Sequence, residues 1–278
     1  MSKFSLIPVE ITKVIENVVT HENDILSIEE PLEIQVRWKD AAPKSISITM
    51  STPGNDKALA VGFLFGEGIL SKATDIISII SGDNSAEKTG LSGRVITVET
   101  AAPIDFDRLQ RNFYTTSSCG VCGKASIDAV KIACPVYVSA EPIFLSKSYV
   151  LGLAEKLASF QREFSYSGGI HASALYNLQG EILAVAEDVG RHNALDKLIG
   201  QAFLDQQLPL NQHVLLLSGR ASFELVQKAS MAGIQVICAI GAPSSLAVEL
   251  AEELNITLIG FLRQNRFNIY SAANRISL

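Results

Sequence analysis

Hydrophobic and polar residues alternate in short runs over the first third of the chain and then settle into a longer rhythm. Residues 9–18, 32–38 and 45–50 are rich in Ile, Val and Thr with partial alternation, the pattern of half-buried strands, and predict a mixed sheet. Between residues 55 and 70 the interval changes. Leu59, Phe63, Leu64 and Ile69 recur near helical spacing after Asn55 or Asp56 as a cap, and the run stops around Glu67-Gly68. Residues 81–94 are polar and glycine-containing and predict a loop, with a strand at 95–99. A short helix or strand at 105–113 and a helix at 124–132 flank a glycine-rich loop. A helix at 149–160 carries Leu151, Ala154, Leu157 and Ala158 along one side.

From residue 170 the order becomes regular. Residues 171–176 and 181–186 flank Asn177-Leu-Gln-Gly180 as a hairpin, and 192–203 is a helix. Strands at 214–217, 235–240 and 257–260 then alternate with helices at 223–232 and 245–254. Strands alternating with helices of this length imply parallel crossovers and a sheet covered on both faces. The predicted fold class is therefore α/β. Cys134-Pro-Val-Tyr-Val-Ser-Ala-Glu-Pro142 brings two prolines together and places a boundary near residue 141, between a smaller N-terminal α+β domain (1–141) and an α/β domain (142–278).

Composition narrows what such a fold can do. The 278 residues exceed the usual ~100–150 of one domain, and 47% hydrophobic content fills a core readily. With 19% charged residues and a net charge of -6, the chain has no general affinity for nucleic acid or an anionic membrane, so an anionic ligand must meet a local basic cluster. The first residues lack the basic and apolar regions of a secretory signal, and no run approaches the ~20 apolar residues of a membrane span. Four unevenly spaced cysteines make no disulfide framework, which predicts free thiols in the reducing cytoplasm.

In open sheets of this kind ligands bind beyond the carboxyl ends of the strands. Four loops stand out: Glu187-Asp-Val-Gly-Arg-His-Asn193, Ser218-Gly-Arg-Ala-Ser222, Gly241-Ala-Pro-Ser-Ser245 and Phe261-Leu-Arg-Gln-Asn-Arg266, the last three directly after predicted strands. Gly and Ser let a backbone approach a phosphate, and Arg220, Arg263 and Arg266 supply forked, permanently charged donors. Ordinary turns with solvated arginines are the alternative for any single loop.

The sharpest chemical signal is Thr115-Thr-Ser-Ser-Cys-Gly-Val-Cys-Gly-Lys124. Cys119 and Cys122 lie on a polar, glycine-flanked segment before a predicted helix and beside Lys124, a setting that favours the reactive thiolate. Thioredoxin-like exchange places such a pair early in a βαβ unit, whereas here it is mid-chain. Structural zinc needs four ligands, and Cys134, Cys238 and the four histidines add no second paired motif. A zinc deaminase requires His-x-Glu before Pro-Cys-x-x-Cys; His171-Ala-Ser173 has the wrong third residue and follows the cysteines. The remaining chemistry is sulfur relay, in which a thiolate attacks a sulfur-sulfur bond as in disulfide exchange. Chemistry alone leaves open which cysteine carries the sulfur.

Ser118-Cys-Gly-Val-Cys-Gly123, Gly62-Phe-Leu-Phe-Gly-Glu-Gly-Ile69, Glu187-Asp-Val-Gly-Arg-His-Asn-Ala-Leu-Asp-Lys197 and Ser218-Gly-Arg-Ala-Ser222 occur in the order seen in the FdhD family, sulfur carrier proteins needed for formate dehydrogenase activity. The chain resembles that family from about residue 30 to its end. The resemblance implies a cytidine-deaminase-like three-layer α/β domain without deaminase activity. It implies a sulfurtransferase that accepts sulfur from a cysteine desulfurase as a persulfide on Cys119, with Cys122 assisting. The sulfur then passes to the molybdenum cofactor, bis-molybdopterin guanine dinucleotide, before that cofactor enters apo-formate dehydrogenase. The family's cofactor segment falls on Phe261, Leu262, Arg263, Gln264, Asn265 and Arg266. Relatives can carry a Lys-Pro-Gly-type turn where this chain has Arg263-Gln-Asn-Arg266, which puts the backbone details of that segment in question. Arg220 and His192 join the expected cofactor set; His192, Asp188 and Arg191 are candidates to position the cofactor or the persulfide, the alternative for His192 being a local hydrogen bond at a helix start. Two rival functions are a thiol-disulfide oxidoreductase using the cysteine pair and a non-catalytic cofactor chaperone. The apolar composition is compatible with a homodimer.

Overall fold

The computed structural model describes residues 5–84, 93–104 and 143–278. Cys119, Cys122 and Cys134, the segments 105–113 and 124–132, and the predicted boundary at 141 lie outside the described residues. Strands β1 (Leu6–Ile15) and β2 (Val18–Ser27) pair antiparallel across Glu16-Asn17. The alternation predicts one strand over 9–18; instead the chain reverses at Glu16, whose φ is 52°, with no glycine or proline to mark the turn.

Strands β3 (Glu30–Trp38) and β4 (Lys44–Ser51) precede α1 (Asp56–Gly66), and β5 (Ile76–Asn84) and β6 (Gly93–Thr100) follow it. Their sheet has the order β4-β3-β6-β5, with β3 and β6 parallel and the other pairs antiparallel. Residues 81–84, expected in a loop, belong to β5 because Ser81 and Gly82 pair with Ile96 and Val95. Alternate residues Leu32, Ile34 and Val36 are buried in one cluster with Leu59 and Leu64 of α1. The expected mixed sheet and its buried helix are thus both present.

The C-terminal region runs β7 (Leu145–Ser146), α2 (Lys147–Ala158), α3 (Arg162–Ser167), β8 (His171–Tyr176), β9 (Ile182–Asp188), α4 (Arg191–Leu204), β10 (Val214–Leu217), α5 (Phe223–Met231), β11 (Val236–Ala239), α6 (Ser245–Glu253), β12 (Thr257–Gly260), β13 (Asn268–Ser271) and β14 (Ile276–Ser277). Six strands form one sheet in the order β13-β12-β11-β10-β8-β9. Strands β10, β11 and β12 are parallel, while β8 runs against β10 and β13 against β12. The expected series ends at β12; β13 extends it because Asn268 and Ile269 pair back on Gly260 and Ile259.

The central, fully buried strands divide their side chains between two faces, as the pleat requires. Leu215, Leu217, Ile237 and Leu258 join Leu195 of α4, Leu225 of α5 and Leu250 of α6. Val214, Leu216, Val236, Cys238 and Ile259 join Val150, Leu153 and Leu157 of α2. The buried stripe of α2 is therefore 150-153-157, not the 151-154-157-158 side expected, and Ala158 is exposed. Among the described residues the fold is mixed α/β with six α-helices, none long and apolar enough to cross a membrane.

Helices α1 and α4 cross at backbone contact. A Cβ on Gly62 would lie 1.9 Å from the carbonyl oxygen of Asp196, and one on Gly200 would lie 1.8 Å from that of Ala58. Only glycine at both positions permits this approach. The crossing carries the buried cluster of the four-stranded sheet directly onto the helices of the six-stranded one.

Candidate functional site

The loops after β10, β11 and β12 are stitched side by side through their backbones. Gly241 N donates to Gly219 O at 2.9 Å, Phe261 N donates to Gly241 O at 3.0 Å, and Ser244 N donates to Ala221 O at 3.0 Å. A side chain at 241 would meet the Arg220 backbone at 2.8 Å, and one at 260 would meet Pro243 Cδ at 2.8 Å. These two glycines let the loops stack at the carboxyl ends of the strands, the edge where open sheets receive ligands.

The expected cofactor residues divide by depth. Phe261 takes a left-handed φ of 52° and is exposed. Leu262 is fully buried in the lower core, so its side chain anchors the segment instead of facing a ligand. Arg263 Nη1 donates to Ile240 O and Leu262 O, both at 2.7 Å, while its backbone N donates to Arg266 O at 2.8 Å. Arg263 thus caps the end of β11 and folds its own loop, leaving Gln264, Asn265 and Arg266 exposed beside it. Arg220, one loop over, is also exposed.

His192, at the start of α4, reaches this edge from the other side. Its Nε2 lies 3.2 Å from Ser222 Oγ and 3.8 Å from Glu224 Oε2. The histidine holds the Glu224 carboxyl down to about 2, against the opposing effect of burial. Serine and carboxylate face the same ring nitrogen, so this is no relay for activating Ser222, which needs the acid on the opposite nitrogen. The arrangement orients His192 and ties α4 to α5.

Beneath it, Asp188 is fully buried and engaged on both oxygens. Oδ1 accepts from Gly190 N (2.9 Å) and Asn193 Nδ2 (3.0 Å), and Oδ2 accepts from Thr52 N (3.2 Å) and pairs with Lys197 Nζ at 2.7 Å. Asp188 is scaffold for the 187–193 loop. A second buried pair, Lys228 with Asp196 at 2.8 Å, lies within 4.0 Å of Glu67, whose carboxyl burial pushes up. Cys238 is fully buried and burial pushes its thiol up to about 12, which makes it an inert core residue. Among the described residues no group of three or more His, Cys, Asp or Glu could hold a metal ion.

Arg191, singled out in the 187–193 loop, lies with His171 against the position a Gly219 side chain would take, and sequence reasoning gave His171 no place in this site. Antiparallel pairing sets His171 opposite Asp188 and brings Ala172 N to Ser218 Oγ at 2.8 Å, placing the start of β8 beside the end of β10. That proximity has no local sequence signal.

Fold and site together define a mixed α/β protein with a basic, loop-built edge at the carboxyl ends of three parallel strands. The family model described as FdhD/NarQ matches residues 27–277, and the chain belongs to that family. It is 45% identical over 273 residues to the sulfur carrier protein FdhD of Streptomyces coelicolor, covering 97% of this chain and 95% of that one. With the protein of the same name from Mycolicibacterium paratuberculosis it shares 48% over 255 residues, 91% and 92% of the two chains. In fold it matches the crystal structure of a candidate formate dehydrogenase accessory protein from Desulfotalea psychrophila, with a TM-score of 0.71, 23% identity and 98% and 99% coverage.

Proposed function

We propose that the chain is a persulfide-relaying sulfur carrier for formate dehydrogenase maturation, working in the cytoplasm. The observation that carries this is near-full-length similarity to relatives named sulfur carrier proteins, in a chain that has Cys-x-x-Cys at Cys119 and Cys122. Cys119 thiolate attacks the terminal sulfur of a desulfurase persulfide, the donor sulfur-sulfur bond breaks, the desulfurase thiolate leaves, and a Cys119 persulfide forms. Cys122 assists, and the sulfur goes on to the molybdenum cofactor as cargo.

The stacked loops fit an anionic guanine dinucleotide. Exposed Arg220 and Arg266 and the Arg263-capped turn concentrate positive charge on a chain of net charge -6. His192 borders the same edge through Ser222. The order β9-β8-β10-β11-β12, with helices on both faces, supports a deaminase-like three-layer arrangement for this region.

The test is incubation with a cysteine desulfurase and cysteine, followed by intact mass and peptide mapping. One added sulfur atom on Cys119, absent in Cys119→Ala, is expected. If Cys119→Ala still supports full formate dehydrogenase activity, the protein is a cofactor chaperone and the relay is wrong.

A further inference from the structure

The β1–β2 hairpin stands uncovered: no residue of its two ten-residue strands is buried. Its base is tied to α3. Ile28 N donates to Ser5 O at 2.7 Å, Ser5 Oγ donates to Glu163 Oε1 at 2.5 Å, and the hydroxyls of Ser27 and Ser167 lie 2.6 Å apart. At the far end Val14, Ile15, Val18 and Val19 are 59–64% exposed, and nearer the base Ile7, Ile25 and Leu26 are exposed as well. The two strands form a sheet of their own, so both outer edges present unpaired backbone groups. Such a hairpin is at best marginally stable alone in water, and contiguous apolar surface of this kind marks an interface.

We infer that the hairpin is a dimerisation arm: β1 pairs antiparallel with β1 of a second copy of this chain, joining two hairpins into one four-stranded sheet. Residues directly opposite in an antiparallel pair share a face, which allows a two-fold axis at Ile11. Ile7 of one copy then stands opposite Ile15 of the other, Pro8 opposite Val14 and Glu10 opposite Thr12, with no like charges facing. Strand β2 offers no such match, because pairing with itself about its centre sets Glu22 against Glu22 or against Asp24. The β1 register also carries the apolar tip of each copy to the base of the other, where Phe164 and Tyr166 of α3 are exposed. Every contact recurs by symmetry, as an isologous interface requires. The two ten-residue strands from each copy match the ~20–30 residues a side of a stable interface. None of this depends on the sulfur chemistry proposed above.

Sedimentation velocity on the full chain over a dilution series tests this, with far-ultraviolet circular dichroism showing that each variant is folded. Wild type is expected to be a dimer. Thr12 is exposed, and Thr12→Glu sets an acid opposite Glu10 twice per dimer, which should weaken dimerisation by about fivefold or more. Thr12→Lys places opposite charges there and should leave the dimer as tight as wild type or tighter. Ile15→Asp, at the exposed tip, should weaken it at least as much as Thr12→Glu. A wild type that is monomeric at every concentration, or a dimer in which Thr12→Glu and Thr12→Lys behave alike, overturns the arm. So does a monomeric wild type whose binding to a cysteine desulfurase is weakened by Ile15→Asp, a result that gives the face to that partner.

Discussion

At the scale of single residues, two half-buried histidines contribute to the acid side of stability. Burial is the main cause that lowers the His171 pKa, followed by Arg191; burial lowers that of His213, partly offset by a backbone hydrogen bond at Leu210. The unfolded chain takes up these protons near pH 6.5, the folded chain only further down. The stability the two contribute is therefore intact above about pH 6.5 and is lost as pH falls through their depressed folded values. Burial raises the pKa of Glu67, Glu163 and Asp196, which act in the opposite sense as pH falls. Melting temperature is expected to fall on acidification below about pH 6.5, with a shallower slope in the double variant His171→Gln/His213→Gln. Equal slopes in variant and wild type would assign the acid sensitivity to other groups. The imidazole positions were not legible in the sequence: His171 reads as the first residue of a strand, and only its pairing with β9 and β10 sets it against Arg191 and Gly219.

At the scale of elements, the α1–α4 crossing is the tightest joint. Alanine in place of glycine inside a helix ordinarily adds up to about 1 kcal/mol through propensity. Here the added methyl would enter a carbonyl on the facing helix, at 1.9 Å for residue 62 and 1.8 Å for residue 200. Gly62→Ala and Gly200→Ala should each lower unfolding stability by about 3 kcal/mol or more in urea titrations, at the top of the overpacking range. A gain in stability from either variant would mean that the helices can separate at little cost. Both glycines are visible in the sequence, yet nothing local tells a contact glycine from a tolerated one. The strands and helices after residue 170 were legible because continuous apolar runs, glycine stops and serine caps agree, as at Ser244, whose Oγ accepts from Ala247 N. The β1–β2 hairpin was not, since Glu16-Asn17 has no glycine; nor was β13, which pairs through residues with no run of their own.

At the scale of the molecule, the edge that carries the loops is braced by the N-terminal sheet. Thr52, just beyond β4, donates its N–H to Asp188 at 3.2 Å, accepts Val189 N on Oγ1 at 3.1 Å and accepts Lys197 Nζ on its carbonyl at 2.9 Å. Asn193 bonds Met50 O and Thr49 on the same strand. The Glu187–Lys197 motif was legible as a functional signature, but its acid and lysine serve this brace, and the sequence shows neither their burial nor their partner 136 positions away. The side chains of Lys197 and Asp188 are 3% and 0% exposed, so Lys197→Met strands a buried carboxylate, a loss of about 3–5 kcal/mol. Because one buried cluster joins both sheets, that loss should act on the whole molecule. The single tryptophan, Trp38, sits on β3 and reports the N-terminal sheet, whereas far-ultraviolet circular dichroism is dominated by helices, and among the described residues five of the six helices lie after residue 146. In urea the two signals should share one midpoint in wild type, and in Lys197→Met both should move together to lower denaturant. Should tryptophan fluorescence change well before the circular dichroism in the variant, the brace holds two separately folding units together and the common core does not make them one.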